Sequence, residues 1–280
     1  MSQQIEVRPV SGALGAEIHG LDLGADLDNS AMDAVHQAFR DHSVVFFMDQ
    51  QITPEQHLAF ARRFGGIDVN KFFPTVDGYP EVAEVRKEPD DKMNIGGGWH
   101  TDHSYDAVPA LGSMLYAKEL PERGGDTMFA SMYAAYDALS PGMRKMLSGL
   151  KAVHSGARAF GPKAASNEER AAKFKLSEIA LAEVEHPVIC THPDSGRKYL
   201  YVNSGFTMRF ANMTEAESKP LLDFLLQHAA RPEFTCRFNW RAGTLAFWDN
   251  LCTQHFALND YHGQRRLMHR ITIQGRAPQA

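Results

Sequence analysis

The residues with the clearest potential for chemistry are an imidazole and a carboxylate two positions apart, His100 and Asp102 in the segment WHTD. Alternate residues of a β-strand point to the same face, so a strand here would project both side chains together. This pair is half of the facial triad of two histidines and one carboxylate, which binds non-haem iron and leaves coordination positions open. The same ligand types also suit zinc, so a zinc-dependent hydrolase is a second interpretation.

The His-x-Asp pattern is short enough to recur without meaning. With 13 histidines in 280 residues, about one such pattern is expected by chance. A second instance does occur, at His192 and Asp194. It lies between two β-like runs and contains the turn formers Pro193 and Asp194, so we interpret it as a hairpin turn rather than a ligand pair.

Two arginines near the end of the chain fall at strand spacing. In the strand-like run 266–274, Arg266 and Arg270 share one face, and apolar residues occupy most of the other. The arginine face therefore borders either solvent or a polar cavity. In a cavity, the guanidinium forks would bind carboxylates or sulfonates through paired hydrogen bonds. His255 precedes this run by eleven residues.

These residues need a scaffold, and local signals predict one. Thr53, followed by Pro54 and Gln56, matches a capping box and predicts a helix start. Periodicity and start signals predict further helices near 32–39, 131–139, 140–150 and 216–229. Strands are predicted near 43–48, 187–191, 198–202, 244–248 and 266–274. No linker divides the chain, so we predict one α+β domain over residues 1–280 around an antiparallel β core.

The segment 156–180 is the least regular part of the pattern. Its centre, 161–175, is polar and rich in Ala, Lys and Glu. This composition predicts a helical insert or a mobile lid.

Composition excludes several classes of protein. The 29 Lys and Arg residues against 34 Asp and Glu give a net charge of −5, so nothing favours nucleic acid as a partner. The three cysteines form no C-x-x-C pair, which is typical of reduced thiols in the cytoplasm. No signal peptide and no membrane-spanning run is visible, so we expect a cytoplasmic protein without membrane association.

Several segments together resemble the TauD/TfdA family of Fe(II)- and 2-oxoglutarate-dependent dioxygenases. They cover nearly the whole chain: GALGAEIHGLDL, VVFFMDQQITPEQHLAFARRFG, WHTDHSY, KELPERGGDT, THPDSGRKYLYVN and WDNLCTQHFALNDYHGQRRLMHR. The resemblance implies a double-stranded β-helix core, that is, a cupin-like jelly roll with flanking helices. It also implies a homodimer or homotetramer.

The resemblance assigns roles to specific residues. It implies that His100, Asp102 and His255 bind Fe(II) and that Thr127 and Arg266 hold the distal carboxylate of 2-oxoglutarate. Arg270 would bind the anionic group of the primary substrate. The implied reaction consumes O₂ and 2-oxoglutarate, yields succinate and CO₂, and hydroxylates the substrate next to a heteroatom so that the product breaks apart. An inactive anion-binding homologue would need a broken triad, and none of its three residues is missing here.

The expected substrate pocket departs from the pattern of taurine-specific members. Those have a His and a Tyr where this chain has Asn70 and Phe73, and an Asn where it has glycines, including Gly96 and Gly97. The lost side chains are ones that pair with a sulfonate and an amine, while glycines leave room for a bulkier body. We therefore expect a small anionic organic substrate, an aryloxyalkanoate-like carboxylate or a bulky sulfonate; the alternative is taurine or an alkylsulfate. The candidate pocket walls are Phe160 and Phe206.

Overall fold

Helices begin where a side chain can accept hydrogen bonds from the free amides of the first turn. The computed structural model describes residues 5–174 and 176–280. Thr53 and Gln56 form the predicted capping box, and Thr214 and Glu217 form a second one. The α-helices are α1 (Asn29–His42), α2 (Pro54–Ala61), α3 (Met132–Asp137), α4 (Pro141–Leu147), α5 (Ala157–Phe160), α6 (Glu168–Lys173) and α7 (Glu215–Ala229). Shorter 3₁₀ helices span Pro162–Ser166, Glu178–Leu181 and Pro232–Phe234.

Short β-strands fill most of the remaining chain, and the predicted strands are confirmed among them. In chain order they are β1 (Glu6–Pro9), β2 (Ala16–His19), β3 (Val44–Phe47), β4 (Ile67–Asp68), β5 (Thr75–Val76), β6 (Tyr79–Lys87), β7 (Gly112–Glu119), β8 (Thr127–Ser131), β9 (Lys151–Ser155), β10 (Glu183–Pro187), β11 (Ile189–Thr191), β12 (Lys198–Leu200), β13 (Thr207–Phe210), β14 (Thr235–Phe238), β15 (Leu245–Asp249), β16 (Thr253–Ala257) and β17 (Arg266–Ile273).

Two sheets carry the site. The larger has the order β1-β2-β3-β15-β7-β17-β6-β5, with β4 paired to β17, and the smaller has the order β14-β8-β16. Apart from the parallel β2–β3 pair, the strands of both sheets pair antiparallel. This mixed architecture confirms the predicted α+β class.

One apolar core joins the two sheets. Phe46 of β3 stacks on Phe238 of β14 at 3.6 Å between ring centroids and meets Phe129 of β8 edge-on at 5.7 Å. The opposite face of the large sheet packs on α1 and α2, where Phe39 stacks on Phe247 at 4.0 Å. Two facing antiparallel sheets with helices outside are the arrangement of the predicted jelly roll.

Local details correct two sequence expectations. The segment around His100 and Asp102 is not a strand: His100 forms an isolated β-bridge, and the chain then turns. The helix predicted near 140–150 is also shorter, since it spans Pro141–Leu147. Within the described ranges, no helix is both long and apolar enough to span a membrane.

The segment 156–180, predicted as an insert or lid, consists of short helical pieces. Residue 175 lies outside the described residues, and α5, α6 and two 3₁₀ helices occupy much of the rest. Two anchors tie it to the chain before the His-x-Asp motif: the Met93 amide donates to Glu169 Oε1 at 2.7 Å, and Asn167 Nδ2 lies 3.2 Å from Met93 Sδ. The segment therefore covers the chain that leads to His100, while its mobility stays a prediction.

Candidate active site

His100, Asp102 and His255 meet where the His-x-Asp turn crosses β16. The backbones of His100 and His255 exchange two hydrogen bonds, of 3.1 and 2.9 Å, which places the imidazole centroids 4.0 Å apart. The following turn brings Asp102 Oδ1 to 3.7 Å from His100 Nε2, and Asp102 Oδ2 to 3.8 Å from His255 Nε2. Ligand atoms of the three residues all lie within 4.8 Å of one another.

The chemistry of this donor set fits a divalent metal. His100 Nδ1 lies 2.8 Å from the Gly98 carbonyl, which fixes the ring and leaves Nε2 for the centre of the triad. Burial, with the charges of His100 and Arg270, lowers the pKa of His255 well below its ordinary value, which favours the neutral, ligating form. Burial opposes ionisation of Asp102, but the charges of Arg270 and the two histidines outweigh it and lower its pKa.

A second grouping, formed by His192, Asp249 and Cys252, is equally compact but already satisfied. His192 Nε2 lies 2.9 Å from Asp249 Oδ2, and its Nδ1 accepts from the backbone amides of Asp194 and Ser195 at 3.3 Å. Because both ring nitrogens are engaged, the imidazole has no lone pair left for a metal. The antiparallel pair β11–β12 confirms that this His-x-Asp segment forms a hairpin turn.

Arg266 and Thr127 lie together on the inner side of the triad. Arg266 begins β17, is 4% exposed, and has two nitrogens, Nε and Nη2, without a hydrogen-bond partner in the described chain. The Thr127 hydroxyl oxygen accepts from Trp240 Nε1 at 3.0 Å, and the Trp240 ring lies 5.6 Å from the Arg266 guanidinium. An inner cavity of about 40 Å³ connects these side chains with His100 and His255. The geometry provides a buried cation and a hydroxyl donor for one carboxylate.

Arg270 also lies beside the triad and lines the same inner cavity. Its Nη2 is 3.0 Å from Asp102 Oδ2 and donates to Ser113 Oγ at 3.1 Å, while Ser113 in turn donates to Asp102 at 3.0 Å. Arg270 Nε is buried without a partner among the described residues. Both arginines of β17 therefore border cavities, so the strand face that the sequence left open between solvent and cavity belongs to the cavity.

An outer cavity of about 280 Å³ extends from Arg270, His100 and Asp102 toward the surface. Every residue predicted for the substrate pocket lies in its wall: Asn70, Phe73, Gly96, Gly97, Phe160, Phe206 and Arg270. Gly96 has a φ of +80°, and a Cβ there would come within 3.2 Å of His100 Cε1. This glycine therefore gives room to the His100 ring, in addition to the space that the sequence predicts for the substrate.

Some residues of the site escaped sequence reasoning. Trp240 and Ser113 hold Thr127 and Asp102 respectively, and Arg158, Tyr105 and Phe174 line the outer cavity. Two-residue spacing from the core residue Phe238 could have marked Trp240 as inward-facing. Ser113 lies on β7, where no sequence signal distinguished it from other buried strand residues. Tyr105 lies in a turn, and Arg158 and Phe174 lie in the segment 156–180, where periodicity gives no direction.

Comparison with known proteins identifies the family. Residues 6–272 match the model of the family described as "Taurine catabolism dioxygenase TauD, TfdA family". The chain belongs to the TauD/TfdA family. Like the family, it is an Fe(II)- and 2-oxoglutarate-dependent dioxygenase, and the candidate His-Asp-His metal site agrees with this. This membership favours iron over the zinc-hydrolase alternative.

Individual relatives show how far the similarity extends. The chain is 35% identical to an alkylsulfatase of Acinetobacter baylyi over 98% of this chain and 86% of that protein. It is 31% identical to a (S)-phenoxypropionate/alpha-ketoglutarate-dioxygenase of Sphingobium herbicidovorans, over 98% and 96% respectively. A putative alpha-ketoglutarate-dependent taurine dioxygenase from Burkholderia xenovorans superposes with a TM-score of 0.84 at 35% identity, covering 98% of this chain and 94% of that one. The TauD/TfdA chain thus has the jelly-roll fold that its sequence predicts.

Proposed function

We propose that His100, Asp102 and His255 bind Fe(II) and that Arg266 and Thr127 hold the distal carboxylate of 2-oxoglutarate. The observation that carries this proposal is the pair of buried arginines on one strand, each bordering a cavity beside the triad and each with unpaired donors. When bound, iron with 2-oxoglutarate and O₂ supplies oxidation of a substrate C–H bond, with succinate and CO₂ as co-products.

The chain's own residues would bind and orient the cosubstrate. The Thr127 oxygen already accepts from Trp240, so its hydroxyl hydrogen is free to donate to a carboxylate. The Arg266 guanidinium is buried and supplies the charge that makes such hydrogen bonds strong. The enclosed inner cavity excludes bulk water, which strengthens both contacts further.

We propose that the primary substrate is an anion with an apolar, preferably aromatic, body. Arg270 would bind its anionic group, and the rings of Phe73, Phe160 and Phe206 would contact the body. An aryloxyalkanoate-like carboxylate or a bulky sulfonate meets both requirements. Hydroxylation at the carbon next to the heteroatom would give an unstable product that separates into a carbonyl compound and the heteroatom-bearing fragment.

An alkylsulfate or taurine is the second candidate. The similarity to an alkylsulfatase favours a sulfate ester, and Arg270 can bind sulfate as well as carboxylate. Taurine fits less well, since five Phe and Tyr rings line the cavity, and among the described lining residues only the metal ligand Asp102 has a carboxylate that could pair with its amine.

We also propose that residues 1–280 act as a single domain in which the segment 156–180 closes over bound substrate. Phe160 and Phe174 from this segment pack on each other at 5.3 Å and line the outer cavity. Closure would complete the apolar wall and exclude water. Limited proteolysis of this segment should slow when the substrate is added to protein loaded with metal and cosubstrate.

Location and assembly are further proposals. The three cysteines, Cys190, Cys236 and Cys252, are free and buried, which agrees with a cytoplasmic protein. A homodimer or homotetramer is proposed from the resemblance to the family. Light scattering coupled to size-exclusion chromatography measures the assembly directly.

One experiment tests the reaction and the substrate class together. Oxygen uptake is measured with Fe(II) and 2-oxoglutarate across a panel of phenoxyacetate, 2-phenoxypropionate, hexyl sulfate, aryl sulfonates and taurine. We expect uptake to rise with one of the bulky anions and to depend on both 2-oxoglutarate and iron. Cleavage of an anionic ester without O₂ or 2-oxoglutarate would contradict the proposal and identify a hydrolase.

A further inference from the structure

Directly after the metal ligand Asp102, the chain turns back on itself at His103. This residue has a φ of 57°, in the left-handed region that the backbone of residues other than glycine rarely adopts. It is 6% exposed, and its ring lies in the wall of the outer cavity with Asn70 and Arg270. Such a conformation persists only where the surroundings hold it, and both ring nitrogens of His103 have polar neighbours.

The amide of Asn70 contacts one of these nitrogens, and its orientation is fixed by the backbone. Asn70 Oδ1 accepts from the amides of Phe72 and Phe73, at 2.9 and 3.1 Å. Nδ2 of Asn70 therefore faces His103 Nε2, at 3.3 Å. Because an amide nitrogen can only donate, Nε2 of the histidine accepts.

The other nitrogen of His103 faces a carboxylate. Nδ1 lies 2.9 Å from Asp68 Oδ2 and 3.6 Å from Asp106 Oδ2, so the ring has carboxylate oxygens on one side and an amide donor on the other. Asp68 ends β4 and pairs with Thr272 of β17, two residues beyond Arg270. The row Asp68–His103–Asn70 thus begins beside the strand that carries Arg270 and ends at the Asn70 amide.

Asn70 is left with one N–H that no described residue engages. Asn70 borders the outer cavity, which is also lined by Arg270 with its unpaired Nε. The same turn carries Phe73, whose ring lies 5.8 Å from the Arg270 guanidinium. A neutral donor, a cation and an aromatic ring therefore converge on one end of the cavity.

We propose that His103 is a positioning residue for the primary substrate: it holds Asn70 so that the free amide N–H, together with Arg270, binds the anionic group. The inference rests on the proposed function, since it takes Arg270 as the anion site. In this arrangement His103 sets the orientation of the anion through Asn70 and itself binds neither metal nor substrate.

The central test uses His103→Phe, which keeps an aromatic ring against Tyr105, 5.6 Å away, and removes both nitrogens. Phenoxyacetate and hexyl sulfate are titrated calorimetrically into protein loaded with Mn(II) and N-oxalylglycine, a non-reacting analogue of 2-oxoglutarate. We expect the Kd of the bound probe to rise about tenfold, the effect of losing one hydrogen bond to a charged group. The Kd of N-oxalylglycine should stay within about twofold, because the inner cavity does not contain His103.

A double-mutant cycle shows whether His103 acts through Asn70. In an Asn70→Ala background, His103→Phe should cause no further loss of probe affinity. Asn70→Asp is the second variant. It keeps an oxygen for the Phe72 and Phe73 amides but replaces the free donor by a charged acceptor, and it should weaken binding at least as strongly as His103→Phe.

The matched control is His228→Phe, which removes another buried imidazole that contacts the Ala135 carbonyl at 2.7 Å. It should leave both Kd values unchanged. Unaltered probe affinity in His103→Phe, or an equal further loss in the Asn70→Ala background, would overturn the inference while the dioxygenase assignment stood. If the wild type bound neither probe, the proposed substrate class itself would fail, and the inference with it.

Discussion

The two cavities that meet at the candidate metal site are built in different ways. The inner one, about 40 Å³, is walled mostly by residues of the strands β6, β7, β8, β15, β16 and β17, whose positions are fixed by sheet hydrogen bonds. The outer one, about 280 Å³, is walled mostly by the turns around Asn70, His100 and Gly205 and by α5, with Arg270 as its strand residue. Backbone in a ladder holds donors rigidly, whereas turns can vary without disturbing the sheets. We therefore expect cosubstrate binding to depend mainly on the sheets, and the choice of substrate mainly on the turns.

Removing a proposed metal ligand should abolish the reaction. For His255→Ala we expect substrate-dependent succinate formation to fall by more than about 100-fold, since even the outer partners of metal ligands are worth about 10- to 100-fold. Succinate is measured by chromatography and bound metal by mass spectrometry. His192→Ala, which removes a histidine of the satisfied network, is the control and should retain activity in its folded fraction.

The two arginines should separate the cavities, because Arg266 lines the inner one whereas Arg270 also lines the outer one. Arg266→Lys keeps the charge but loses the planar fork, and we expect it to raise the KM for 2-oxoglutarate by about 10- to 100-fold with a smaller effect on the primary substrate. Arg270→Lys should show the reverse pattern. Steady-state kinetics with each substrate varied in turn provide the measurement, and equal effects of both variants on both KM values would remove the distinction between the cavities.

The aromatic rings of the outer cavity should determine the preference for bulky over small anions. Phe206→Ala removes a buried ring from the outer cavity, so the KM for phenoxyacetate should rise by about tenfold and that for methyl sulfate much less. Competition between the two compounds gives the ratio of their kcat/KM values directly. Phe224→Ala, on the outer side of α7 and 46% exposed, is the matched control and should leave the ratio unchanged.

The smallest effect is expected at Trp240. Trp240→Phe keeps a ring near Arg266 but removes the N–H that donates to Thr127. Loss of about 1 kcal/mol would weaken 2-oxoglutarate binding about fivefold, and the KM of the primary substrate in the same variant is the internal control. If only the KM of the primary substrate changed, Trp240 would act on the outer cavity instead.

Sequence reasoning succeeded where a regular backbone sets the direction of a side chain. The two-residue period of β17 placed Arg266 and Arg270 on one face, and both side chains border cavities. The same period was wrongly applied to His100 and Asp102, which converge through a bridge and a turn rather than along a strand. The contact between His103 and Asn70 joins two turns 33 positions apart, and no local pattern encodes such a distance.

The most direct test compares succinate formation by the wild type and by His100→Ala, with Fe(II), 2-oxoglutarate, O₂ and the best anion of the panel. For the wild type we expect one succinate per hydroxylated substrate, with both products absent under anaerobic conditions. For His100→Ala we expect neither. Undiminished succinate production by the variant, or substrate cleavage that continues without O₂, would contradict an iron-dependent dioxygenase centred on His100, Asp102 and His255.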